Sequence, residues 1–109
     1  MGRVMDLSKT GLDMFFKHYQ IAALKTIWSS EEPLSSRDVM EEVNKNMAEG
    51  ISRASIINFL NDSVDLGILD FIEVSGKGGY RRLYSAKLSR FEIKSFLTRI
   101  VKEQLQTLP

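Results

Sequence analysis

The chain has 109 residues, of which 43% are hydrophobic and 27% charged, with 15 basic and 14 acidic side chains and no cysteine. That is the length of one domain and the composition of a globular protein, and the missing cysteine excludes disulfides, thiolate zinc sites and cysteine nucleophiles. No eighteen apolar residues follow one another, and residues 1–10 carry Arg3, Asp6 and Lys9 where a signal peptide would be apolar, so the expectation is a cytoplasmic protein.

Thr10 and Asp13 form a T-x-x-D start signal. Leu12, Phe16, Tyr19, Ala23 and Ile27 then recur at three- and four-residue spacing, while Ile21, Leu24 and Trp28 do so on the opposite face. The pattern predicts a main helix over 16–29, apolar on two sides and therefore central, preceded by a short arm. The polar stretch 29–33 ends in Pro33, which stops the helix. Leu34 is then long enough for one short strand. Ser35 or Ser36 caps a second helix, with Asp38 in its first turn and a core stripe of Val39, Met40, Val43 and Met47, stopping near residues 48–50. Ser52 caps a third helix whose inner face is Ile56, Phe59, Leu60 and Val64, and Gly67 ends it in a left-handed conformation.

The period then shortens. Residues 68–74 and 80–86 are rich in Ile, Leu, Phe, Val and Tyr and flank the glycine-rich tip 75–79, which predicts a β-hairpin. Ser89 caps a last helix to about residue 108, carrying Ile93, Phe96, Leu97, Ile100, Val101, Leu105 and Leu108 on one broad stripe. The order is helix-strand-helix-helix-strand-strand-helix, an α+β fold that is mostly α: a winged helix-turn-helix with a C-terminal dimerisation helix. The expected division is an arm over 1–15, a winged-helix DNA-binding domain over 16–88 and the dimerisation helix over 89–109.

Charge supports a nucleic-acid reading only locally. Residues 1–34 are neutral, 35–66 carry net −3, 67–90 carry net +3 and 91–109 carry net +1. The basic segment is the hairpin. A helix-turn-helix places its second helix N-terminus first in the major groove of double-stranded DNA, and a basic hairpin beside it reaches phosphates. Ser52, Arg53, Ser55, Asn58 and Asn61 supply the polar outer face of that helix, and Lys77, Arg81 and Arg82 supply the charge of the wing.

The runs IAALKTIW, PLSSRDVMEEV, ISRASIINFLNDSVDLGIL and RRLYSAKLS resemble the winged-helix domain of the penicillinase and methicillin-resistance repressors, the BlaI/MecI family. The similarity covers roughly residues 19–90, and its looser pattern is shared with PadR-like and MarR-like regulators. The resemblance implies a homodimeric repressor on a palindromic operator. It places DNA contacts at Ser55, Ile57 and Asn58 of the third helix and at Arg81 and Arg82 of the wing. The chain departs from that family at Ile57, where Arg is common, and at Asp62, where a second basic residue is common. Ile57 can still touch a thymine methyl.

Leu12 and Phe16 of the arm, with the seven apolar residues of the last helix, exceed what a small monomer readily covers, which points to a dimer face. His18 has no ligand cluster, Glu41, Glu42 and Asp38 have no nucleophile beside them, and the hairpin glycines lack phosphate-loop spacing. No cofactor, metal, small-molecule ligand or enzymatic site is therefore expected. The alternative function is a winged-helix protein-interaction module that does not read DNA, suggested by the acidic second and third helices.

Overall fold

The computed structural model describes residues 5–76 and 78–108. In chain order these form a 3-10 turn (Gly11–Met14), α1 (His18–Trp28), β1 (Leu34–Ser35), α2 (Ser36–Asn44), α3 (Arg53–Leu66), β2 (Leu69–Gly76), β3 (Gly79–Ala86) and α4 (Arg90–Leu105). The expected element order is the observed one. Boundaries differ where a side chain has another use.

The T-x-x-D signal starts only the 3-10 turn, and the Thr10 hydroxyl caps nothing. Phe16 is not the first residue of the main helix. It is buried and meets the ring of Phe59 edge-on, with centroids 6.1 Å apart, so α1 begins two residues later, where the Lys17 amide donates to Gln20 Oε1. Ser35, not Ser36, caps α2: its hydroxyl accepts from the Asp38 amide at 3.1 Å while Asp38 Oδ2 accepts from the Ser35 amide. Ser89 and Glu92 make the same reciprocal pair at the start of α4.

The core lies where α1, α3 and the sheet meet. Ala23 and Leu24 of α1, Val39 of α2, Ile56 and Leu60 of α3 and Ile68 before β2 are all fully buried. Burying side chains of this kind contributes about 1.5–3 kcal/mol each for the larger ones, which explains why α1 needs two apolar faces. The sheet is antiparallel with strand order β1-β3-β2. Leu34 pairs with Tyr84 and Ser35 with Leu83, so the short strand after α1 fastens the root of the hairpin. Trp28 Nε1 donates to the Leu88 carbonyl at 3.1 Å and ties the end of α1 to the approach of α4.

Gly67 joins α3 to the hairpin at φ +86, and its amide donates back to the Val64 carbonyl at 3.0 Å. A Cβ at this position meets nothing within 4 Å, so replacement has only a conformational cost. Gly67→Ala should lower stability by about 1–2 kcal/mol, and Gly67→Asn by less, as read from the urea unfolding midpoint. Equal midpoints for Ala and Gly would remove the left-handed cap from the account.

Candidate nucleic-acid interface

The turn between α2 and α3 is closed by a residue that the sequence reading passed over. Asn44 Oδ1 accepts from the Ile51 amide at 2.7 Å, and Asn44 Nδ2 donates to the Ile51 carbonyl at 3.2 Å. This two-point clamp ends α2 at Asn44, short of Met47, and spans the turn in which Gly50 adopts φ +70. An Asn ahead of a glycine-containing turn was the available signal, but its partner lies seven residues away.

With Ile56, Phe59, Leu60 and Ser63 buried, the opposite side of α3 faces outward. Ser52, Arg53 and Asn58 are exposed, and Ser55 and Ile57 are half-buried. The Ser52 hydroxyl caps the helix by accepting from the Ser55 amide at 3.1 Å and donates to the Ser55 hydroxyl. Arg53, Ile57 and Asn61 follow at four-residue spacing and form the edge nearest the wing. Asp62 and Asp65 lie in the last turns. Arg53 and the positive end of the helix dipole thus make the N-terminal end of α3 attractive to anions, and the other end repels them.

Asn61 is not free on the outer face. Its Oδ1 accepts from the Tyr84 hydroxyl at 2.6 Å and from Arg82 Nη1 at 3.1 Å. The Arg82 guanidinium also lies over the Phe71 ring, 3.9 Å from its centroid. Side chains alternate along a strand, so Arg82 and Tyr84 face α3 while Arg81 faces the other side, opposite Val74 in register. The two adjacent arginines therefore have different surroundings. Arg82 is half-buried and held by α3; Arg81 is exposed and, like Arg53, forms no ion pair among the described residues. Lys77, the third expected wing cation, lies outside the described residues. Burial raises the Tyr84 phenol above its ordinary value, and the Arg82 charge only partly opposes that. The hydroxyl keeps its proton and donates to Asn61.

The residues expected at a dimer face divide. Phe16, Ile93 and Leu97 are buried in the chain's own core, because the first two turns of α4 settle over it; those three positions are corrected to core residues. Leu12, Phe96, Ile100 and Val101 are half-buried, and Leu105 and Leu108 remain exposed. Among the described residues, no group of three or more His, Cys, Asp or Glu could hold a metal ion, and no helix is long and apolar enough to cross a membrane.

No protein-family model and no curated protein sequence matches the chain. Solved structures do. A "possible transcriptional regulator" of Methanosarcina mazei Go1 superposes with a TM-score of 0.64 at 12% identity, over 84% of this chain and 72% of that one. The Aeropyrum pernix ORC1 protein, solved in complex with DNA, superposes with a TM-score of 0.62 at 20% identity over 77% of this chain, which spans only 24% of the ORC1 chain. The Helicobacter pylori ferric uptake regulator Fur superposes with a TM-score of 0.57 at 15% identity, over 100% of this chain and 88% of that one. At such identities the likeness is one of fold: a small, mostly helical α+β winged helix-turn-helix.

Asn61→Ala should destabilise the domain by about 1–3 kcal/mol, since it leaves the Tyr84 hydroxyl without its acceptor. Tyr84→Phe should cost about 1 kcal/mol and should also flatten the alkaline limb of the stability curve. The sign follows from the raised phenol: the contribution is complete below pH ~10 and is lost as pH rises through the higher folded value. Urea unfolding at neutral and alkaline pH reads both effects. A wild-type slope retained in the Phe variant would exclude Tyr84 as its source.

Proposed function

We propose that this chain is a sequence-specific double-stranded DNA-binding transcriptional regulator, acting as a homodimer on a palindromic operator. The observation that carries this reading is the bond between the outward edge of α3 and the wing: Asn61 holds Arg82 against the helix that carries the exposed Arg53 and Asn58 and the half-buried Ser55 and Ile57. A helix and a cation fixed to one another can meet base edges and a flanking phosphate together. α3 enters the major groove from its N-terminal end, where Arg53 and Asn58 can hydrogen-bond guanine and adenine edges and Ile57 can pack on a thymine methyl. Asp62 and Asp65 point away from the phosphates in this orientation. Arg81 contributes charge from the wing's other face.

The second copy associates through the side of α4 that carries Phe96, Ile100 and Leu108, away from the wall that faces Leu12. The similarity of the sequence to the penicillinase repressors supports repression. Structural likeness to a DNA-bound protein and to two proteins described as regulators supports the DNA-binding reading.

One observation favours a second reading, a protein-interaction module. The net charge of −3 over residues 35–66 includes Asp62 and Asp65 on α3 itself. Selection of bound fragments from random duplex DNA separates the two, since a palindromic consensus is expected of the regulator and no enrichment of the module. For the enriched duplex, the logarithm of affinity should fall against the logarithm of salt with a slope of roughly −3 for each bound protomer, as three or four phosphates are neutralised. Arg81→Ala should reduce the slope by about 1 and weaken all sequences alike, whereas Asn58→Ala should relax preference at one base pair. A slope near zero would discard the groove-reading geometry.

A further inference from the structure

A trough of about 740 Å³ runs between α4 and the segment that precedes α1. Its walls include Leu12, Phe15, Ile93, Leu97, Val101 and Leu105. It extends along α4 from residue 90 to residue 105, about 22 Å at 1.5 Å per residue. Leu7 at one lip is 75% exposed and Leu105 at the other 60%, so among the described residues two large apolar side chains at the opening remain largely uncovered.

Three cations, Arg90, Lys94 and Lys102, share the α4 wall with Thr98 at four-residue intervals. Lys94 and Lys102 make no ion pair among the described residues, and Arg90 lies 5.8 Å from the centroid of the Trp28 ring. Among the described residues the lining contains no carboxylate. Of the acids nearest in sequence, Asp6 accepts from the amide and hydroxyl of Ser8 and faces Lys9, Asp13 faces His18 at 3.6 Å, and Glu92 caps the start of α4, while Glu103 follows Lys102 directly but does not line the trough. A channel whose described lining is apolar apart from these cations is complementary to a molecule with an apolar body and a negative head.

We propose that this trough binds a single-chain amphipathic anion, such as a long-chain carboxylate, with its tail along Leu97 and Val101 and its head on Lys94 or Lys102. The volume falls in the ordinary range of small-molecule sites, about 300–1,000 Å³. A second α4 seated there would bring four cations against only two acids of its own, which repels it from this wall. A bilayer surface is disfavoured because the apolar residues line a concavity. The proposal does not depend on DNA binding and is tested without it.

The test is calorimetric titration of the full chain with monomeric sodium dodecanoate and with dodecyltrimethylammonium, which has the same tail and the opposite charge. Dodecanoate should bind one to one and at least about tenfold more tightly than the cation, as charge-assisted hydrogen bonds to lysine require. The double variant Lys94→Gln, Lys102→Gln should abolish that preference. Thr98→Trp, at an exposed position on the same wall, should block both ligands with charge unchanged. Equal binding of the two amphiphiles, or a preference that survives the double variant, overturns the proposal. So does binding to phosphatidylglycerol vesicles without binding of monomeric dodecanoate, or a dimer whose formation excludes dodecanoate.

Discussion

The side-chain carbonyl of Asn61 accepts two hydrogen bonds from one strand, at 2.6 Å from Tyr84 and 3.1 Å from Arg82, and so fixes α3 against β3. Everything on the candidate interface is placed relative to one of those two elements. The pin is stable for identifiable reasons. Tyr84 is buried, so its hydroxyl has no alternative partner in water. The Arg82 guanidinium donates to the amide and lies over the Phe71 ring, a combination that a lysine could not reproduce. Removing the amide therefore leaves two donors with reduced satisfaction at once, and the helix and wing lose their common reference.

The core has the same economy of elements. α1 is apolar on two sides because it has neighbours on two sides, and its burial positions α3 from behind while Asn61 positions it from the front. Asn44 adds the third restraint by closing the turn that feeds α3. With back, side and entry all fixed, the N-terminal half of α3 can remain exposed without being loose. Its charge pattern, one arginine at the entry and two aspartates at the exit, gives the helix a direction relative to any polyanion.

The fold was legible in the sequence because its signals are local. Glycine at 67, serine at 35, 52 and 89, and the change of period at residue 68 each act within a few residues. What was not legible depends on contacts across long separations. The Asn61 side chain was expected on the outer face, since helical spacing puts it there, and only the position of Tyr84 and Arg82, more than twenty residues on, draws it inward. Arg81 and Arg82 read as one basic pair in the sequence, yet a strand sends them to opposite faces. The stripe on α4 read as one dimer surface, whereas its first turns serve the core and only its last turns remain uncovered. Asn44 was missed for the same reason, its partner lying beyond the turn it closes.

The strand order β1-β3-β2 bears on how the hairpin behaves once anchored. At Leu83 and Tyr84, β3 is bonded along both edges, to β1 on one side and β2 on the other. From Arg82 to Gly79 it has only β2, to which it pairs as far as Gly76. Backbone restraint on β3 thus falls from Leu83 toward Gly79. Asn61 grips β3 across the boundary between the two regions, at the doubly bonded Tyr84 and at Arg82 just beyond it, so the restraint that β1 gives the root is carried one step further by α3.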